Sequence, residues 1–488
     1  MARSKALADL GLTARGGREA RICGLAVDSR DVREGFLFAA LPGQHAHGAR
    51  FVETALAQGA AAILTDAKGA ALIGAVDAAL IVAEDPRQSL AGAAALWFGA
   101  QPGTMVAVTG TNGKTSVATF ARQIWMRLGH AAINIGTTGV EGAWTAPSPH
   151  TTPEPITLHR ILAEAAQAGI THAAMEASSH GLDQRRLDGV HLKAAGFTNF
   201  TQDHLDYHRT FEAYYDAKMG LFDRLLPPDG VAVVNLDDAH GPDVARRAAQ
   251  RGLATMGVGL SARADLRILA RRFDATGQEV RLEWKGAAHQ VRLNLVGGFQ
   301  AQNVALAAGL VIGAGAPARA VFEVLPDLVG VRGRMQLAAT RRNGAAIYVD
   351  YAHTPDAVAT ALQALRPHVM GRIVVVFGAG GDRDRTKRPL MGAAAAAHAD
   401  ICFVTDDNPR SEDPAAIRAE ILAACPDATE VADRAEAILR GVDALGPGDA
   451  LLIAGKGHET GQVIGSDVFP FDDVEQASVA VAALDGVI

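Results

Sequence analysis

The run Met105–Val108 is a short apolar strand that passes directly into TGTNGKT, Thr109–Thr115, and from there into the helix-compatible stretch SVATFARQIWMRLG. That order sets a glycine-rich turn at a helix N-terminus, where unpaired backbone N–H groups and the helix dipole favour an anion. Gly110 and Gly113 permit close backbone approach, and Thr111, Asn112 and Ser116 complete the turn. Lys114 has the reach for the outer phosphates of a nucleotide, and the Thr115 hydroxyl is placed to ligate magnesium. The plainer alternative is a glycine turn carrying a surface lysine. The general phosphate loop has a further glycine five positions before its second one; Val108 stands there, so this loop is a narrower variant.

On both sides of the loop, strand-like runs alternate with helical segments, the pattern of a parallel sheet covered on both faces. Such runs read at Phe36–Ala40, Ala60–Leu64 and Ala79–Val82, then at Ala346–Val349, Ile373–Phe377, Ile401–Thr405 and Ala450–Ile453. With 488 residues, about three domains are expected. The chain restarts near Gln101–Gly103 and again after Gly330–Gly333, which divides it into residues 1–97, 98–332 and 333–488. The expected fold is α/β: a small N-terminal α/β domain, a central phosphate-loop domain with a parallel sheet, and a C-terminal Rossmann-like domain. A net charge of −7 argues against nucleic acid as the partner. Cys23, Cys402 and Cys425 are too few and too scattered for a disulfide framework or a cysteine zinc site. The N-terminus lacks the apolar run of a signal peptide, since Asp9 interrupts it. The longest uncharged stretch, Leu293–Ala318, holds Gln300, Gln302, Asn303 and Pro317, a poor membrane span. A cytoplasmic protein without membrane insertion is expected.

Three further segments carry chemistry. EASSHGL, Glu176–Leu182, follows the strand-like THAAM, so Glu176 ends a strand in the domain of the phosphate loop. A carboxylate there is well placed for the magnesium that bridges nucleotide phosphates; the bland alternative is an exposed helix-start cap. TNFTQDHLDYH, Thr198–His208, is dense in Asn, Asp and His, and His204 and His208 are candidate metal ligands, although isolated histidines are more often structural. In YYDAKMGLF, Lys218 lies among helix formers beside Asp216, and residue chemistry alone favours a helix-face ion pair.

Together with GGFQAQN, GRM, DYAHTP, FGAGGDRDRTKRP, DNPR and GKGHE, these motifs resemble the Mur ligase family, the ATP-dependent amide-bond ligases of peptidoglycan synthesis. They occur in the family's order across nearly the whole chain. The resemblance implies ATP and two magnesium ions as cofactors, with Lys114 and Thr115 serving ATP and metal and with Glu176 and His204 completing metal shells. Lys218 matches the family's carbamylated lysine, whose carboxylate-like head ligates the second magnesium. Asn303, Arg334 and Asp350 match positions that hold adenine, phosphate and ribose. Ser29, Gln44, His45, Ala46, Thr151, Thr152, Ser178, Gln184 and Arg186 match contacts to the uridine-muramoyl substrate. DNPR, Asp407–Arg410, looks like the signature of the branch that adds meso-diaminopimelate to UDP-N-acetylmuramoyl-L-alanyl-D-glutamate, and DSRDVREGFLFAALPG is similar to that branch's uridine domain. The two substrates would be the partners, and a monomer is expected. The chain departs from the family pattern where His47 replaces a usual Asp and Gln336 a common Glu, so local contacts are expected to differ there.

GAGGDRDRTKRP, DDNPRSEDP and GKGHE each follow an apolar strand, and loops at the carboxyl ends of strands are where an open α/β sheet binds ligands. meso-Diaminopimelate differs from lysine by a carboxylate on the far carbon. A planar guanidinium holds such a group bidentately, which suits Arg410 and Arg383. Asp407 and Glu459 offer acceptors for the distal ammonium, Gly455 permits close backbone approach, and Asn408 and Pro409 are expected to bind the substrate with the rest of DNPR. Alone, DNPR reads equally as an Asn-Pro turn. The competing readings are a lysine-adding muramyl ligase, a folylpolyglutamate-synthetase-like ligase, and a nucleotide-binding switch without ligase activity.

Overall fold

A computed structural model describes residues 4–43, 46–148, 150–201 and 205–486. The chain divides into two compact units, one of residues 1–266 with 305–321 and one of residues 267–304 with 322–488. Both are α/β and built on parallel sheets.

The first unit opens with a small parallel sheet of β1 (Gly24–Ala26), β2 (Phe36–Ala39), β3 (Ala62–Thr65) and β4 (Ala79–Val82), in that spatial order. The third strand starts later than its apolar run, because Ala60 N bonds back to Ala55 O through a turn at Gly59, whose φ is 92°. Helix α1 (Pro86–Phe98) closes this layer. Its limits follow from local chemistry: Asp85 accepts from Arg87 N and Gln88 N, Pro86 sits in the first turn, and Gly99 is left-handed at the end. Leu37, Leu64, Ile81, Leu90 and Trp97 form the core beneath.

The larger sheet of this unit starts with β5 (Thr104–Thr109) and α2 (Lys114–Arg127), followed by β6 (Ala132–Gly136), β7 (Gly139–Gly142) and α3 (Pro155–Gln167). It continues through β8 (His172–Glu176), the short α4 (Ser179–Asp183), β9 (Ala194–Phe197), α5 (Phe211–Gly220), β10 (Val231–Asn235) and β11 (Ala254–Gly259). The spatial order is β11-β10-β9-β5-β8-β6-β7, parallel except for β7. Residues 105–109 of β5 are all buried, which is why the strand reads as a continuous apolar run rather than an alternating one. One face buries Met105, Ile133, Ile135, Leu158 and Leu162 in a common core. Removal from water stabilises each large aliphatic side chain by about 1.5–3 kcal/mol.

In the second unit, β12 (Gly277–Trp284) and β13 (Ala287–Leu293) pair through a two-residue turn. Lys285 and Gly286 both take positive φ there, the geometry that matches the twist of a hairpin. After α6 (Phe299–Gly313), which begins in this unit, come β14 (Gln336–Thr340), β15 (Ala346–Asp350), β16 (Ile373–Phe377), α7 (Lys387–His398), β17 (Ile401–Val404) and β18 (Thr429–Glu430). The chain then forms α8 (Arg434–Asp443), β19 (Ala450–Ala454), the hairpin β20 (Gly461–Ile464) and β21 (Asp467–Pro470), and α9 (Asp473–Leu484). The main sheet runs β14-β15-β19-β16-β17-β18, antiparallel only at β14. The neighbours β19, β16 and β17 therefore bring GKGHE, GAGGDRDRTKRP and DDNPR to one edge. Among the described residues, no helix is long and apolar enough to cross a membrane.

Candidate active site

The phosphate loop leaves β5 after Thr109. Val108 is still in the sheet, opposite Glu176 of β8 and Gly196 of β9, so this shorter loop has no use for a glycine there. Gly110 does need to be glycine: its φ is 143° and a Cβ would stand 1.8 Å from Thr198 Oγ1. Gly113, at φ 86°, turns the chain into α2. The segment after β9 holds the loop in shape. Thr198 Oγ1 donates to Asn112 O at 2.6 Å, and Asn112 N donates to Asn199 Oδ1 at 2.9 Å. Lys114 Nζ donates to Gly110 O at 3.0 Å and to Thr111 O at 2.8 Å, which lays its chain along the loop. Thr115 and Ser116 are buried in the first turn of α2.

Glu176, the last residue of β8, is only 1% exposed and makes no helix cap. The cap belongs to Ser178, whose Oγ accepts from Gly181 N at 3.0 Å. Thr137 N donates to Glu176 Oε1 at 2.8 Å, and a Cβ on Gly136 would lie 2.0 Å from that oxygen. Thr152 Oγ1 donates to Glu176 O at 2.9 Å and accepts from Ser178 N at 3.0 Å, while Thr151 Oγ1 meets Thr137 Oγ1 at 3.0 Å. Arg186 donates to Thr152 O at 2.7 Å and to Gln184 Oε1 at 2.8 Å, and Gln184 Nε2 donates to the Tyr207 hydroxyl at 3.0 Å. Burial of the Arg186 guanidinium pushes its pKa down. Five expected substrate positions (Thr151, Thr152, Ser178, Gln184, Arg186) thus form one hydrogen-bonded group around Glu176. Ser29 is buried in a short turn after β1, and Ala46 lies on the loop after β2. Gln44, His45 and His204 lie outside the described residues. His47 takes over the capping duty of an acidic residue: its Nδ1 accepts from Ala49 N at 3.0 Å, and its Nε2 meets Asp66 Oδ1 at 3.1 Å.

Lys218 corrects the plain expectation of a surface ion pair. It is 1% exposed, because Tyr214 and Lys218 sit four apart on the inward face of α5. Its Nζ donates to Gly110 O at 2.7 Å and lies 4.5 Å from the centre of the Tyr214 ring. Asp216 pairs instead with Arg247 at 3.3 Å. The Tyr214 hydroxyl is 3.3 Å from Thr111 Oγ1, so α5 touches the phosphate loop twice.

In the second unit, Asp350 is buried at the end of β15 and accepts from Met335 N at 2.7 Å and Ala352 N at 2.9 Å. Burial pushes its carboxyl pKa up. The Arg334 guanidinium lies 4.8 Å from the centre of the Tyr351 ring, a cation–π contact. Asn303 Nδ2 donates to Gln300 Oε1 at 3.2 Å within α6. Gln336 Oε1 accepts from Gly333 N at 2.8 Å, a bond that a carboxylate at this position would equally make.

The DNPR loop is built from buried groups. Asp407, Asn408 and Pro409 are buried and Arg410 is half-buried, with φ 52°. This unusual backbone is held by Arg410 N donating to Val463 O at 3.0 Å and by Gly465 N donating to Arg410 O at 2.7 Å. Arg410 Nη1 donates to Gly381 O at 2.7 Å. Arg383 is exposed, and the two arginines flank Gly380, where a Cβ would meet Arg410 Nη1 at 2.8 Å and Arg383 Cγ at 3.8 Å. Asn408 Nδ2 donates to Glu459 Oε2 at 2.9 Å, and burial pushes the Glu459 carboxyl pKa up. Gly455 has φ 120° and a Cβ there would be 2.4 Å from Asp407 Oδ2, so the close approach expected of this glycine is made to Asp407. Beneath it, Arg434 and Asp473 form a fully buried ion pair, and Arg434 Nη2 donates to Ala454 O at 3.0 Å.

Residue patterns missed Thr137, Tyr214 and Lys456. Thr137 faces Glu176 and Tyr214 faces Thr111 of the phosphate loop, each across a long sequence separation, and only the strand-end position of Thr137 was a signal. Lys456 was in view within GKGHE without a reason to single it out.

Comparison with known proteins agrees with this geometry. Family profiles match residues 21–97 (Mur ligase family, catalytic domain), 108–311 (Mur ligase middle domain) and 333–457 (Mur ligase, glutamate ligase domain). The UDP-N-acetylmuramoyl-L-alanyl-D-glutamate–2,6-diaminopimelate ligase of Caulobacter vibrioides is 50% identical over 471 residues, covering 95% of this chain and 96% of that protein. The ligase of the same name from Bradyrhizobium diazoefficiens is 51% identical over 467 residues, 95% of each chain. A solved structure of a ligase of that name superposes with a TM-score of 0.74 at 34% identity, covering 99% of both chains. The chain belongs to the Mur ligase family.

Proposed function

We propose that the protein joins meso-2,6-diaminopimelate to the D-glutamyl carboxylate of UDP-N-acetylmuramoyl-L-alanyl-D-glutamate, with ATP converted to ADP and phosphate. Residues 1–97 serve the uridine nucleotide, 98–332 ATP, and 333–488 the amino acid. The observation that carries this reading is the DNPR loop: a half-buried arginine held by Gly381 O and Val463 O, and a buried aspartate set against Gly455 and Lys456 of GKGHE, offer a place for a side chain that ends in both charges.

The chemistry explains the equipment. A carboxylate has no leaving group that an amine can displace, so the γ-phosphoryl group of ATP is first transferred to it. Two anions must approach each other in that step. Lys114 offsets their repulsion, and the backbone N–H groups of the loop orient the phosphates. The amine of the incoming amino acid then attacks the acyl carbon, and phosphate leaves. Bulk water must be kept away or the acyl phosphate hydrolyses.

The Thr115 hydroxyl and the Glu176 carboxylate are oxygen donors of the kind magnesium takes, and Glu176, held through Thr137, retains lone pairs for it. When bound, the metal supplies charge neutralisation at the transferring phosphoryl group. Lys218 fits carbamylation: a carbamate keeps one N–H, which the 2.7 Å bond to Gly110 O accommodates. Its head would then be a further oxygen ligand, for the second magnesium that the family resemblance implies. Lys218→Ala is therefore expected to lose most activity and to regain part of it with added short-chain carboxylates. An intact-mass measurement showing an unmodified lysine in active enzyme, or a fully active variant, contradicts this.

Phosphate release coupled to the dipeptide nucleotide, run against diaminopimelate isomers, lysine and ornithine, tests the whole reading. Release that needs the nucleotide and meso-diaminopimelate together is expected. Preference for lysine would reassign the substrate, and hydrolysis indifferent to both substrates would point to a nucleotide switch.

A further inference from the structure

Lys456 is fully buried, and the reaction as described makes no use of it. Its Nζ donates to Asn408 Oδ1 at 2.8 Å and to Gly461 O at 2.7 Å, and stands 3.9 Å from Asp407 Oδ1. It thereby joins the DNPR loop to the first residue of β20. Asn408 passes the connection on, accepting from Val463 N at 3.0 Å and donating to Glu459 Oε2 at 2.9 Å. Burial lowers the Lys456 pKa, while Asp407 and Glu459 oppose that shift. Its two oxygen acceptors and the carboxylate beside it favour the ammonium form.

Opposite charges are paired off at the centre of this cluster, with Lys387 and the exposed Arg383 as further cations at its margin. Asp407 and Glu459 bring two negative charges, Lys456 and Arg410 two positive ones, and Arg434 is already neutralised by Asp473 through bonds of 2.8 and 2.7 Å. A pocket with separated signs matches a side chain whose far end carries one ammonium and one carboxylate. A side chain ending in an ammonium alone adds an unbalanced charge, which is costly where water is scarce.

We propose that Lys456 is a specificity-determining positioning residue: it cancels the Asp407 charge and fixes Asn408, so that the pocket takes an amino acid with a zwitterionic end over one with a cationic end. This rests on the substrate reading given above. Without the lysine Asp407 loses the buried cation set against it, which suits a lysine substrate's ammonium better than diaminopimelate.

The test compares kcat/KM for meso-diaminopimelate and L-lysine in wild type, Lys456→Gln and Lys456→Arg, with thermal unfolding and nucleotide binding as controls of folding. Lys456→Gln keeps a donor for Asn408 but removes the charge. Its diaminopimelate-to-lysine ratio is expected to fall by about 10- to 100-fold, chiefly through KM for the amino acid, while KM for ATP is unchanged. Lys456→Arg is expected to keep most of the ratio. Parallel loss on both amino acids, with the ratio intact, would make Lys456 a structural peg and overturn the proposal. Wild-type enzyme that does not ligate diaminopimelate would bring down the substrate reading, and this inference with it.

Discussion

Replacing Lys114 with alanine is expected to reduce ATP-dependent ligation by on the order of 10³-fold or more, which is several kcal/mol of transition-state stabilisation. The fold is expected to survive. Lys114 is half-buried, and Gly110 O and Thr111 O, among the partners it loses, are loop carbonyls. The loop keeps its independent supports, Thr198 on Asn112 O and Asn199 on Asn112 N. On the proposed mechanism, what disappears is a positive charge where the γ-phosphoryl group and a carboxylate must meet. Steady-state phosphate release beside a thermal melt measures both halves of the claim. Near-wild-type turnover in a folded variant would remove the loop from the mechanism.

That loop was legible because everything it needs is contiguous: a strand, two glycines and a helix start lie within a single stretch of sequence. The last unit was legible for a related reason. Its three candidate loops each follow a recognisable apolar strand, and the order β19-β16-β17 makes those strands neighbours. Contacts between distant residues were not legible. The bond from Lys218 Nζ to Gly110 O spans 108 residues, so helix chemistry alone favoured a surface pair with Asp216, which instead pairs with Arg247. Thr137 and Glu176 are 39 residues apart, and only the parallel packing of β6 against β8 brings them together. The departures at His47 and Gln336 also needed coordinates. Each keeps the hydrogen-bond acceptor that an acidic residue would provide, so neither disturbs its loop.

Selectivity for meso-diaminopimelate over L-lysine is expected to reach about 10⁴-fold, because a site built to bind a polar group strongly rejects an analogue lacking it. Arg410 should carry most of it. The two amino acids differ only by the carboxylate on the far carbon, so that group is the discriminating one. Nη1 of Arg410 is engaged by Gly381 O at 2.7 Å, which turns the edge formed by Nε and Nη2 into the one suited to a bidentate carboxylate. The backbone fixes this orientation, since Val463 O and Gly465 N clamp Arg410 at its positive φ. Lysine leaves a half-buried guanidinium without an anion, and that cost falls on lysine alone. Arg410→Ala removes both the partner of the carboxylate and the penalty against lysine. It should damage use of diaminopimelate severely, change the poor lysine rate little, and shrink the ratio between them. Arg383→Ala is expected to do the same more weakly, because Arg383 is exposed and water screens its charge. Competition assays with the two amino acids at equal concentration read the ratio directly. An Arg410→Ala enzyme that retains the full ratio would reduce DNPR to a turn, and the reader of the far carboxylate would have to be sought elsewhere on this sheet edge.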